Sequence, residues 1–127
     1  METKNPVGWF EIYVENMKRA KKFYETVLKT ELSELPNPTP EAPMQMLAFP
    51  MDMGKNASGS LVKMEGFKAG GNSTIVYFVC DDCAIEEGRV VKAGGKVFKS
   101  KLSIGEFGFM ALCSDTEGNM IGLHSMK

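Results

Sequence analysis

The chain runs twice through the same local pattern: an alternating strand that passes directly into an amphipathic helix. Residues 10–24 read Phe-Glu-Ile-Tyr-Val-Glu-Asn-Met-Lys-Arg-Ala-Lys-Lys-Phe-Tyr. Residues 73–82 read Ser-Thr-Ile-Val-Tyr-Phe-Val-Cys-Asp-Asp, ahead of a helix closed by Gly94-Gly95. Alternation by two sorts a strand into two faces, and spacing by three and four marks one side of a helix. Each unit is followed by three more strand-like segments. The expected fold class is therefore α+β: two βαβββ modules, about 7–64 and 73–126, curving into a half-barrel sheet around a cavity. At 127 residues the two modules make one domain, large enough to bury a core without disulfide or metal.

The first strand, about Gly8 to Val14, carries Phe10, Ile12 and Val14 on one face and Trp9, Glu11 and Tyr13 on the other. The apolar face is expected under the helix, and the mixed face toward a cavity or solvent. Asn16 is a good N-cap. Met17, Ala20, Phe23, Tyr24, Val27 and Leu28 form one apolar stripe, and the helix should end near Lys29. The proline-rich stretch 36–43 reads as a solvated connection, with a lid over a pocket as the alternative. Met44 to Phe49 and Ser58 to Met64 read as strands, with a linker from Glu65 to Gly71. In the second unit, Thr74 to Cys80 is a strand, with Ile75, Tyr77 and Val79 on one face and Thr74, Val76, Phe78 and Cys80 on the other. Asp81 or Asp82 caps the next helix. Lys96 to Lys101, Glu106 to Cys113 and Met120 to Ser125 read as the remaining strands, with Asp115 to Asn119 as a turn.

Composition narrows the function classes. A net charge of −1 without a basic patch argues against nucleic-acid partners. No apolar run reaches the roughly 20 residues that span a bilayer, and the first residues lack a signal-peptide core. Three cysteines, an odd number, fit a reducing compartment, so the cytoplasm is expected. Ten methionines suit gap filling or an adaptable cavity wall.

Three local motifs, spread over nearly the whole chain, carry a resemblance. They are Val14-x-Asn16 with Ala20-x-x-Phe23-Tyr24, then Val79-x-Asp81 before Ala93-Gly-Gly95, then Asp115-x-x-Gly118-Asn119-x-Ile121-x-Leu123. In this order they resemble the vicinal oxygen chelate superfamily of glyoxalase I, bleomycin-resistance proteins and extradiol dioxygenases. The sub-group most resembled is that of small proteins related to lactoylglutathione lyase. The resemblance implies a cavity with metal ligands on the first and last strands of each module. Counting back seven from Asn16 and from Asp81 sets two of those seats on Trp9 and Thr74. The glutamate position falls on Gly122, and the fourth seat lies near Ser58 or Ser60. Indole, hydroxyl and bare backbone are poor ligands for a transition metal. No cofactor is expected on this ground, and a divalent metal held by other ligands stays open. The resemblance also implies a homodimer.

Glu11 and His124 lie two residues beyond the Trp9 and Gly122 seats, on the same strand faces. A carboxylate and an imidazole there would suit proton transfer; solvated or structural roles are the alternative. Trp9, Tyr13, Thr74, Phe78 and Gly122 are the expected small-molecule contacts, with the aromatics as walls or as core. Cys80-Asp-Asp-Cys83 has the spacing of a redox or zinc pair. Its acidic neighbours oppose a low thiol pKa, however, and its place at a strand-to-helix junction explains it by turn geometry. The leading expectation is a metal-free small-molecule binding protein like the bleomycin-resistance proteins. A lyase or isomerase using Glu11 and His124, or a displaced metal, comes next, and a purely structural role last.

Overall fold

The computed structural model describes residues 7, 9–36, 43–52, 55–71 and 73–127. The first module holds β1 (Trp9–Tyr13), α1 (Met17–Leu28), β2 (Ser33–Leu35), β3 (Met44–Ala48) and β4 (Ser58–Met64). The second holds β5 (Val76–Val79), α2 (Cys83–Val90), β6 (Lys96–Ser103), β7 (Phe109–Ser114) and β8 (Met120–Ser125), with a 3₁₀ turn at Gly105–Phe107. Each module folds into its own four-stranded sheet, in the orders β1-β4-β3-β2 and β5-β8-β7-β6. In both, the first strand runs parallel to the last, and the other pairings are antiparallel. The sheets stay separate and do not close into a barrel.

Local chemistry explains the boundaries of the first helix. Asn16 is extended, and its side chain accepts from the Arg19 amide at 3.0 Å. The C-terminal residue, Lys29, turns left-handed at φ 53°. Met17, Ala20, Phe23, Tyr24 and Val27 are buried as the spacing requires, and Leu28 packs at the edge of the core. α2 is shorter than its sequence pattern suggests. It ends at Val90, and a turn follows in which Gly94 sits at φ 101°. The Gly95 amide then reaches back to the Val90 carbonyl at 3.0 Å. A Cβ on Gly95 would lie 2.3 Å from the Ser114 carbonyl and 2.6 Å from the Phe23 ring. The Gly94-Gly95 pair is therefore needed for backbone shape and for close packing of the modules.

The structure corrects one expectation and makes two others definite. β2 is a strand of three residues, too short to announce itself by alternation. Glu106 and Phe107 belong to a turn, because Gly105 at φ 72° and Gly108 at φ 100° bend the chain before β7 begins. The cap of α2 is Asp82, whose side chain accepts from the Ala84 amide at 3.0 Å. Most of the proline-rich stretch, residues 37–42, lies outside the described residues.

The core joins the modules. Phe10, Tyr24, Phe49 and Phe78 come from β1, α1, the end of β3 and β5. Phe49 packs against the other three with ring centroids 5.6 Å away in each case. Phe10 and Phe78 meet nearly edge-on at 6.0 Å, an arrangement favoured by ring quadrupoles. Around them Ile12, Val14, Leu61, Ile121 and Leu123 are buried.

A polar clamp completes the junction. The turn Asp115–Asn119 inserts between α1 and the end of β1. Glu117 accepts from the Glu15 and Asn16 amides at 2.9 and 2.8 Å, and from Arg19 Nε at 2.6 Å. Burial disfavours its charge, but the guanidinium and the amides outweigh that and bring its pKa down to about 2. Asp115 accepts the Tyr24 hydroxyl at 2.7 Å. Burial, then the Asp115 charge, holds Tyr24 well above the ordinary phenol range. Asn119 donates to the Tyr13 carbonyl at 3.0 Å and accepts from the Gly70 amide at 2.6 Å.

Candidate functional site

β1 and β5 are the facing edge strands of the two sheets, and the space between them forms two adjoining grooves. The larger, about 990 Å³, is lined by Trp9, Phe10, Phe49, Thr74, Tyr77 and Phe78 among others. The smaller, about 530 Å³, is lined by Glu11, Tyr13, Lys68, Ser73, Thr74 and Asn119 among others. Phe10, Thr74 and Val76 border both. One end of the cleft is thus aromatic and the other polar, the usual make-up of a small-molecule site.

β1 supplies the central group. Trp9, Glu11 and Tyr13 share a face, as alternation requires. The Glu11 carboxylate sits between its neighbours, accepting the Tyr13 hydroxyl at 2.9 Å and the Trp9 indole N–H at 3.4 Å. Partial burial, then the hydrogen bond and charge of Glu11, raise the Tyr13 pKa. The Tyr13 ring stacks on Phe67, with centroids 5.1 Å apart and planes at 20°.

The second module departs from the expected register. With Asp82 as the cap, the residue seven places before it is Ile75 and not Thr74, which borders both grooves. Ile75, Tyr77 and Val79 are therefore the counterparts of Trp9, Glu11 and Tyr13. Phe78 belongs to the core-facing set and packs in the aromatic cluster, touching the cleft at its margin. Gly122 is the cross-strand partner of Tyr77. A Cβ at Gly122 would lie 2.2 Å from the Tyr77 ring, so Tyr77 covers that corner, and Gly122 is buried beneath it.

His124 stands apart. It is paired with Val79 and Met110 in the ladder, and its Nε2 lies 2.7 Å from the Phe107 carbonyl. A carbonyl only accepts, so this nitrogen carries the proton. His124 lines neither groove, whereas Glu11 lines the smaller one. The structure does not bring the two into one cavity.

The seats that the resemblance implies fall on Trp9, Ser58 or Ser60, Ile75 in place of Thr74, and Gly122 under the Tyr77 ring. Among the described residues, no three His, Cys, Asp or Glu side chains cluster so as to hold an ion. The donor set does not fit a divalent transition metal. The three cysteines are buried and unpaired with one another. Burial, then Glu86, pushes the Cys80 thiol up to about 12, and burial, then Glu87, pushes Cys113 up to about 11. Neither thiol has the character of a redox nucleophile.

The sequence reading missed Phe10, Phe49 and Tyr77 as cleft walls and Phe67 as the platform for Tyr13. Tyr77 had a signal: it lies on a strand face that is apolar throughout. Phe67 is a single aromatic in a glycine-rich linker, which carries none.

Known structures share this architecture. Glyoxalase I from Zea mays superposes with a TM-score of 0.76 at 19% identity, over 98% of this chain and 47% of that one. The chain thus spans about half the length of the maize protein. TnmS3, an antibiotic binding protein from Streptomyces sp. CB03234, gives 0.69 at 24% identity, over 98% of both chains. A hypothetical protein, SA1046 from S. aureus, gives 0.68 at 15%, over 97% of this chain and 95% of that one. No curated protein sequence matches the chain. The family model that fits residues 7–123 spans both modules and the turn that clamps them, and the chain belongs to the Glyoxalase/Bleomycin resistance protein/Dioxygenase superfamily.

Proposed function

We propose that this protein binds a small molecule, with an aromatic or apolar body, in the cleft between β1 and β5, and that it does so without the metal typical of its superfamily. The observation that carries this reading is the aromatic wall of the larger groove: Trp9 lines it, and Tyr77 lines it while covering Gly122; both Trp9 and Gly122 are positions where the resemblance implies metal ligands. A groove of about 990 Å³ with five aromatic rings offers far more apolar contact than polar direction. The antibiotic-binding role of the structural neighbour TnmS3 agrees with this reading.

The test is a thermal-shift screen of aromatic and drug-like compounds. Binding to the native state alone raises the melting temperature by mass action. Trp9 is the only tryptophan, so its fluorescence should change with every true ligand. A broad library that moves neither signal would reject the reading.

A lyase or isomerase is the second reading, favoured by one observation: Glu11 lines a groove and is held by two donors. It requires Glu11→Gln and His124→Ala to lower turnover. A stoichiometric metal in protein purified without chelator would revive it at once. In either reading the chain acts as one domain in the cytoplasm and pairs as a homodimer, a state that light scattering measures. The exposed apolar side chains of Tyr77, Val79 and Leu102 support pairing.

A further inference from the structure

Resting on the small-molecule reading, we propose the chemical class of the ligand: an organic cation, whose aromatic body lies in the larger groove and whose protonated amine pairs with Glu11.

Both Glu11 oxygens accept from neutral donors, the Tyr13 hydroxyl at 2.9 Å and the Trp9 indole at 3.4 Å. These bonds orient the group and leave its charge uncompensated. Among the described residues no lysine or arginine forms an ion pair with it. Lys68 lines the same groove and is exposed, without an ion pair to Glu11 among the described residues. A carboxylate has room for about four acceptor contacts, so two remain for a ligand ammonium.

The surroundings suit the rest of such a molecule. Trp9 borders the larger groove while its indole N–H reaches Glu11, so it spans the aromatic and the charged parts of the cleft. Ligand cations are favoured near Trp and Tyr rings, and Tyr13 is backed by Phe67.

The test uses three probes that share one ring system: 1-naphthylmethylamine, 1-naphthylmethanol and 1-naphthoic acid. Each is titrated against the full chain at pH 7 by calorimetry and by Trp9 fluorescence. The amine should bind at least about tenfold more tightly than the alcohol, as expected for a charge-assisted pair, and the acid most weakly. Glu11→Gln should bring the amine and alcohol affinities together. Tyr13→Phe, which loosens the carboxylate, should shrink the preference in part. Melting curves of both variants show whether the fold is kept. Equal affinities for amine and alcohol, or a preference for the acid, would overturn the cation proposal while leaving the cleft as a binding site. Binding of none of the three at millimolar concentration would overturn both.

Discussion

The Tyr77 ring lies directly over Gly122, its cross-strand partner on β8, so closely that a single added methyl group would collide with it at 2.2 Å. The glycine is thus defined by its neighbour, because its φ is not in the left-handed region. Gly59 repeats the device in the first module. It pairs with Phe10, and a Cβ there would meet that ring at 2.6 Å. In both parallel pairs an aromatic side chain covers a glycine on the last strand of the module.

Gly122→Ala should therefore destabilise the protein by about 1–3 kcal/mol, the range for overpacking. In a Tyr77→Ala background the same substitution should cost much less, because the space is open. Urea denaturation of the four members of the cycle gives the coupling directly. Additive effects would show that the ring moves aside without penalty.

Glu117→Gln should cost about 2–3 kcal/mol, mainly because the Glu15 and Asn16 amides lose their anionic acceptor. Arg19 is half exposed, so solvent screening reduces its share. The contribution depends on pH with a defined sign. The folded pKa is lowered from 4.5 to about 2. The unfolded chain therefore takes up the proton first on acidification. Stability is fully present above 4.5 and is lost as the pH falls through about 2. The gap between wild type and variant should narrow over that window in chemical denaturation.

The thiols should be silent in the native state. Thiolate is the reactive form, and Cys80 and Cys113 lie near 12 and 11. At pH 8 a disulfide reagent such as DTNB should label neither quickly, and urea should release all three thiols of the chain. Fast native labelling at Cys80 would contradict its burial beneath the β5–α2 junction.

Ser60→Ala should leave stability unchanged or raise it by up to about 1 kcal/mol, since it removes a fully buried hydroxyl that has no hydrogen-bond partner among the described residues. Most substitutions at fully buried positions are destabilising, so the sign is informative. A clear loss in thermal or urea melts would show that the hydroxyl is satisfied in solution.

The repeat and its periodicity were readable because they are local. Asn16 caps α1 and the stripe from Met17 to Val27 is buried, since each follows from spacing within one turn or one strand. The cap of α2 was ambiguous for an equally local reason: Asp81 and Asp82 are adjacent and chemically alike. Choosing between them needs the hydrogen bond to Ala84. That one-residue choice decides whether Thr74 or Ile75 is the counterpart of Trp9, and so which of the two alternating sets in β5 matches the Trp9, Glu11 and Tyr13 face.

What the amino-acid order determined by itself was the pair of modules, each a strand that passes into a capped amphipathic helix. What only the tertiary structure decided was every relationship across the modules. Arg19 and Glu117 are 98 positions apart, and Tyr24 and Asp115 are 91 apart. Tyr77 covers Gly122, while His124 turns to Phe107 and away from the grooves that Glu11 and Trp9 line. Local patterning records what one strand or helix must bury. A cleft between two sheets depends on how the packed modules meet, which a periodicity within one element does not encode.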